Sequence, residues 1–443
     1  MNVAVLGLWH LGPVTAACTA AAGHTVIGWD PDADAVNALS EARPAVAEPG
    51  LPELLAEGIA SWRLRFSPDL REAVADADLV WVAFDTPVDD EDRADVDWVV
   101  QHVRAAFPHL KDGAIVLSSS QLPVGTLAGL ERDWAGVAGG RRVSFACLPE
   151  NLRLGRAIDT FAKPERIVLG VRSDDDRARL LALVAPFTDR IEWMSVESAE
   201  MTKHAINAFL ATSVTFINEI AALCEQTGAD AKEVERGLKS EKRIGPHAYL
   251  GPGAAFAGGT LARDVVFLRA LGQSVGRPTP LMDGVETSNR EHRGWARRRL
   301  ESLLSPLVGR TIAVWGLTYK PGTDTLRRST AVELCRWLLE QGAHVCVHDP
   351  AVKELPDELS GVTRAFTPEE AATDADALVV ATEWPAYREV SLDALVKVMA
   401  GRVIVDANRF LASTAGGDAR FTLVSVGAGS RPGSPIPVPG SRP

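Results

Sequence analysis

Basic charge is in short supply in this chain: 46 Lys and Arg stand against 58 Asp and Glu, a net charge of −12 at pH 7. That balance argues against a nucleic-acid or anionic-membrane surface. Cysteine is scarce as well, and its 5 residues, Cys18, Cys147, Cys224, Cys335 and Cys346, are scattered and odd in number. A disulfide framework is therefore not expected, and a reducing compartment is. No apolar run is expected to approach the ~18 residues of a membrane span. The first strand follows Met1 at once, without a basic leader, so a cytoplasmic protein with no membrane partner is expected. Against these shortages stand 443 residues of which 46% are hydrophobic, enough for two or three domains.

Two clusters invite a functional reading and are given a plain one. Arg297 to Arg299 form the one basic run, read as a solvated helix face. In "AHVCVHDP" strand alternation places His344, Cys346 and His348 on one face. No fourth ligand is suggested nearby, so the stretch is read as a buried strand ending in an Asp-Pro turn, and no metal is expected.

From Met1 to about Ser195 short apolar strands alternate with helical patterns, at "VAVLG", "TVIGWD", "LVWVAF", "AIVLSS", "VSFACL" and "RIVLG". This is the pattern of a doubly wound parallel sheet. Apolar residues then recur at three and four, which predicts a helical region over 196–305. A second α/β block follows over 306–427, through "RTIAVWGLTYKPGTD", "HVCVHDP", "ALVVATEW" and "RVIVDANRF". The remainder, 428–443, is rich in Gly, Ser and Pro and is expected to be disordered. The expected fold is α/β, with two Rossmann-like domains joined by the helical region.

The opening stretch "VAVLGLWHLGPVTAA" carries a question. Gly7 and Gly12 hold the first and third glycine positions of a G-x-G-x-x-G dinucleotide loop, but Trp9 holds the second. That glycine ordinarily lets backbone approach a pyrophosphate. Asp30 closes the second strand, where a carboxylate receives the adenosine ribose hydroxyls of NAD and would repel the 2′-phosphate of NADP. Asp30 could also simply cap the helix that follows. Strand, glycine turn, helix, strand and terminal acid together point to a working but altered NAD site, with the amides of His10 and Leu11 in the first helical turn. Trp9 is expected to keep φ negative and turn its indole from the phosphates; an indole in the phosphate path would exclude an NAD enzyme.

Further motifs extend along the chain: "FDTP", "SQLPVGT", "PENLRLGRAID" to "PERIVLG", "AEMTKHAINAFLATSVTFINEI", "RIG", "GPGAAFAGGTLARD", "GLTYKPGTDTLRRS", "TEW" and "DANRF". In this order they resemble the UDP-glucose/GDP-mannose dehydrogenase family over nearly the whole chain. The resemblance implies an N-terminal NAD domain, a central dimerisation region and a C-terminal domain that helps hold a nucleotide sugar. It also implies a homodimer whose substrate site lies near the subunit interface.

Carried over position by position, the resemblance makes Lys203 and Asn207 a pair of donors to a substrate oxygen, one helical turn apart. It makes Asp264 an aid to proton removal, and Glu150 the first of the family's two glutamates. Thr86, Ser120, Gln121 and Arg327 become cofactor contacts. Arg243 would reach the neighbouring subunit's substrate and Lys320 the nucleotide phosphates. The same stretches place Asn151, Leu152, Tyr249, Phe256 and Gly258 against the substrate.

The departures fall in one place. Where the family carries a cysteine in G-G-S-C-F-P-K-D, "AGGTLARD" has Thr260. The family's second glutamate is Leu154 here and its threonine in S-T-V-P is Gln121. Two loop glycines are Ala255 and Ala257, and the lysine before Asp264 is Arg263. A threonine hydroxyl is far less ionised than a thiol and needs a dedicated base to act as a nucleophile. The alcohol-oxidising set survives while the thioester-forming set is lost. An NAD-dependent oxidation of one hydroxyl, on a nucleotide sugar or on a nucleotide's ribose, is therefore expected. A four-electron oxidation without a thioester, an isomerase that retains NAD, and a non-catalytic nucleotide-sugar binder stay open.

Overall fold

The computed structural model describes residues 1–428 apart from 88, 90–92, 151, 154 and 258. The expected tail thus lies outside the described residues from 429 on, as do Asn151, Leu154 and Gly258. The chain forms two compact units, Met1–Ile206 with Gln273–Val275, and Asn207–Gly272 with the residues from Gly276 onward.

The first unit holds eight described strands: β1 Asn2–Leu6, β2 Thr25–Trp29, β3 Leu64–Phe66, β4 Leu79–Val82, β5 Ala114–Ser118, β6 Val143–Cys147, β7 Ile167–Gly170 and β8 Ile191–Met194. Their order is β3-β2-β1-β4-β5-β6-β7-β8. The central strands read "LVWV" and "AIVLS" and are buried throughout, because helices cover both faces of a parallel sheet. Alternate residues feed opposite cores: Val3 and Val5 of β1 enter one, Ala4 and Leu6 the other. The sheet is not wholly parallel, as the sequence pattern suggested, since β7 pairs antiparallel to β6 at Cys147 and Gly170.

The second unit repeats the plan. Its strands are β9 Thr311–Trp315, β10 His344–His348, β11 Thr363–Arg364, β12 Ala377–Val380, β13 Val403–Asp406 and β14 Thr422–Val424, in the order β11-β10-β9-β12-β13-β14. This is the order of the first six strands of the other sheet, and even the fastenings recur. Asp78, before β4, accepts the amide of Asn2 at 2.9 Å, and Asp376, before β12, accepts that of Thr311 at 2.9 Å. Helices Ala231–Ser240, Thr260–Ser274, Pro280–Arg293 and Trp295–Leu304 precede the second sheet.

Three plain readings of the sequence meet the structure here. The helix Val196–Thr227 is long and apolar enough to cross a membrane, with an 18-residue window of mean hydropathy 1.4 of which 44% is buried in the protein. The reading that no such stretch exists is corrected: Glu200, Lys203 and Glu219 interrupt the apolar residues along the sequence, but the helix joins the turns between them into one long apolar element. The basic run Arg297–Arg299 is a solvated face only at Arg298, which is exposed, while its two neighbours are half-buried. Arg299 pairs with the buried Glu225, and Arg297 lies 5.7 Å from the Trp337 ring and donates to the Glu333 carbonyl. Buried Glu225 also accepts from Trp295 Nε1 and the Gly427 amide, so the arginine supplies the charge that this carboxylate needs. In β10, His344 is exposed while the buried His348 ring meets the Tyr387 hydroxyl at 3.2 Å.

Candidate active site

At the carboxyl end of β1 the backbone turns at Gly7, with φ +97°. A Cβ there would sit 2.7 Å from the Phe84 backbone, and one on Gly12 would sit 1.7 Å from the Gly7 carbonyl oxygen. Glycine is required at both by close approach. Trp9 needs no such freedom: it is absent from the positive-φ residues, and it is 60% exposed. Its side chain stands largely in solvent. Asp30 does not cap the next helix, because Asp32 does so, accepting from the amides of Asp34 and Ala35. Asp30 instead accepts the Leu8 amide at 2.7 Å and the Asp32 amide at 2.9 Å. Burial pushes its carboxyl above the usual range, against the pull of these amides.

The first turn of the helix Leu11–Ala21 presents its amides to an anion. His10 N and Leu11 N donate to Asp85 Oδ2 at 3.2 and 3.3 Å. Burial raises the Asp85 carboxyl, and Glu150 adds to this while His10 opposes it. The glycine turn, the acid at the end of β2 and two amides aimed at a negative group fit a dinucleotide.

The corresponding turn of the second sheet does not fit one in this way. Gly316 has φ +90°, but its turn runs through a long loop to the helix Thr330–Glu340. Asp349 at the end of β10 is engaged by the amides of Leu317 and Thr318, the Thr318 hydroxyl and Trp384 Nε1.

Beside the cofactor turn a cleft of about 360 Å³ is lined by residues that include Ser120, Gln121, Cys147, Glu150, Glu200 and Lys203. Lys203 Nζ donates to the Glu150 carbonyl at 2.6 Å, and Glu150 Oε2 accepts the Leu152 amide at 2.5 Å. Thr86 Oγ1 donates to the Gln121 carbonyl at 3.0 Å, which fixes the turn after β5. The Ser120 hydroxyl is buried without a hydrogen-bond partner among the described residues. Two acids fasten backbone amides of the first unit. Glu200 accepts the Gly125 and Leu127 amides at 2.7 and 3.1 Å, and Glu48 those of Gly155 and Ala157 at 2.9 and 2.7 Å.

In the second unit Asn207 Nδ2 donates to Asp264 Oδ2, and both side chains are buried. Thr260 is exposed at the start of the helix Thr260–Ser274. The loop before it is pinned by side-chain amides. Asn218 accepts the Gly253 amide at 3.0 Å, Asn408 that of Ala254 at 2.7 Å, and Asn289 bonds both backbone groups of Phe256, at 3.0 and 2.9 Å. His292 Nε2 lies 2.8 Å from the Gly253 carbonyl. A pocket of about 660 Å³ opens where β12 and β13 end, lined by Arg293, Arg297, Thr330, Ala381, Ala407 and Asn408 among others. It lies outside the carboxyl ends of the strands, where nucleotides bind open α/β sheets. Arg243, Tyr249 and Arg327 are exposed, and Lys320 is half-buried.

The motifs thus bring Glu150, Ser120, Gln121 and Lys203 to one cleft, and Asn207 to Asp264. Asp85, Glu48, Glu200, Asn218 and Asn289 were not read from the sequence. Asp85 lies within "FDTP", beside Thr86, and Glu200 and Asn218 lie within "AEMTKHAINAFLATSVTFINEI", so the motifs carried a signal for these three and none for Glu48 and Asn289.

Residues 1–188 match the NAD binding domain of the UDP-glucose/GDP-mannose dehydrogenase family, residues 197–291 its central domain and residues 313–413 its UDP binding domain. A UDP-glucose 6-dehydrogenase of Rhizobium meliloti (strain 1021) is 34% identical over 435 residues, covering 96% of this chain and 99% of that one. The chain belongs to the UDP-glucose/GDP-mannose dehydrogenase family. Another UDP-glucose 6-dehydrogenase, from Pseudomonas aeruginosa, is 33% identical over 442 residues, 96% of this chain and 97% of that one. The solved structure of a UDP-glucose dehydrogenase from Pyrobaculum islandicum superposes with a TM-score of 0.86 at 33% identity, covering 97% of this chain and 98% of that chain. The dehydrogenase is an NAD-dependent oxidoreductase acting on CH–OH, of the nucleotide-sugar class.

Proposed function

We propose that this dehydrogenase removes a single hydride from a hydroxyl of a nucleotide sugar, or of a nucleotide's ribose, and releases the aldehyde or ketone. The observation that carries the proposal is the chemistry available at position 260 and at the cysteines. Thr260 stands where the family's cysteine is expected. Burial pushes all five thiols up, Cys18 and Cys335 to about 12. Cys147 lines the cleft with Lys203 and Glu150, but burial and the Glu200 charge both hold its thiol protonated. A thioester route lacks its nucleophile.

The surviving groups suffice for the first half of the family's chemistry. The Gly7–Gly12 turn, the amides of His10 and Leu11, Asp30, Thr86, Ser120 and Gln121 would hold NAD, with Arg327 as a further contact. When bound, NAD accepts the hydride from the carbinol carbon. Lys203 donates to the substrate oxygen as negative charge develops on it, and Asn207 adds a neutral donor. Asp264, bonded to Asn207, assists removal of the hydroxyl proton. Glu150, Asn151, Leu152, Tyr249, Phe256, Gly258 and Lys320 contact the substrate, whose nucleotide part enters the pocket beyond β12 and β13. The reading includes a cytoplasmic homodimer in which the exposed Arg243 reaches the partner's substrate.

The test is incubation with NAD and a panel of nucleotides and nucleotide sugars, reading NADH by absorbance and product by mass. One NADH per substrate, a product two mass units lighter, and substantial activity in Thr260→Ala are expected. Two NADH with a carboxylate product would overturn the proposal, as would loss of all turnover in a folded Thr260→Ala that still binds NAD.

A further inference from the structure

The amides that fit the cofactor's pyrophosphate are already engaged. His10 N and Leu11 N, at the positive end of the helix Leu11–Ala21, both point at one oxygen of Asp85. We propose that Asp85 is a resident competitor for the pyrophosphate, a side chain that sets the affinity for NAD by holding the two backbone donors until the cofactor displaces it.

Three features make the carboxylate a competitor and not a bystander. The segment that carries it is fastened to the strand before the turn, because Val82 pairs with Leu6 and the Ala83 amide donates to the Leu6 carbonyl at 2.8 Å. Only the side chain of Asp85 can leave. Its surroundings do not welcome a second anion, since Glu150 already raises the Asp85 carboxyl and Glu48 lies 3.4 Å from the His10 ring. Both donors lie at the start of the helix, whose dipole favours a negative group there, so the place suits the carboxylate and the phosphate alike. A phosphate arriving at the same amides meets a like charge on donors that cannot serve both.

The proposal rests on NAD binding by residues 1–188 and not on the one-hydride reading. Its test measures binding without substrate, so either can fail alone. Isothermal titration of NAD into the wild-type protein and Asp85→Asn compares the same fold with and without the charge. The amide variant is expected to bind NAD roughly ten- to hundredfold more tightly, the range that bonds to a charged group carry. The ligand-free Tm is expected to fall, because the helix loses its anion. Tighter binding together with a less stable free protein is a pairing that a merely structural aspartate would not produce. Should Asp85→Asn not fold, Asp85→Gly is judged by the same criterion. A folded variant that binds NAD no more tightly than wild type, or more weakly, overturns the proposal; weaker binding would make Asp85 an NAD ligand.

Discussion

Replacing Asn289 by alanine tests whether the loop that precedes Thr260 and Asp264 is held by side-chain amides. Asn289 is 7% exposed in the helix Pro280–Arg293 and bonds the Phe256 amide through Oδ1 at 3.0 Å and the Phe256 carbonyl through Nδ2 at 2.9 Å. It thereby gives an irregular segment the pairing that a neighbouring strand would supply. Each such bond contributes about 1 kcal/mol net, so the loop loses about 2 kcal/mol when both go. The amide exchange of Phe256, which reports local opening, should then quicken roughly 30-fold. Asn218, Asn408 and His292 still hold Gly253 and Ala254, so opening should be confined to the second half of the loop. Hydrogen exchange at Phe256, KM for the sugar nucleotide and NAD affinity are the measurements. KM should rise while NAD affinity stays, because the cofactor turn belongs to the other unit. Unchanged exchange at Phe256 would refute the anchoring argument, and so would a loss of NAD affinity as large as the change in KM.

Lys203→Ala should lower kcat by on the order of 10²–10³ with little change in KM, since a donor to a developing oxyanion acts mainly in the transition state. A change confined to KM would make Lys203 a ground-state binding residue. Stability should fall as pH drops below about 6.5, because burial holds His24, His292 and His348 below their usual 6.5. The unfolded chain then takes up protons that the folded one resists, so this stability is complete above pH 6.5 and is lost on acidification. A Tm series from pH 8 to 5.5 checks it, and His292→Gln should flatten the slope; equal slopes in the two proteins would refute the assignment to His292.

The sequence by itself determined the elements whose cause is local. Runs such as "LVWV" and "ALVV" can only be interior strands of a sheet covered on both faces, and they are β4 and β12. Gly7, Gly12 and Asp30 were legible because strand, turn and helix set their spacing. The short edge strands β3, β8, β11 and β14 left no comparable trace, since a half-exposed strand of two to four residues has no continuous apolar run. Tertiary structure alone decided where polar side chains find partners across long separations. Asp85 meets His10 over 75 residues, Glu48 meets Ala157 over 109 and Asn408 meets Ala254 over 154. Arg299, which looked solvated, is drawn 74 residues back to Glu225 because a buried carboxylate requires a cation. Hydrophobic periodicity records which face of an element is buried, but not which donor the fold will bring to a given acid.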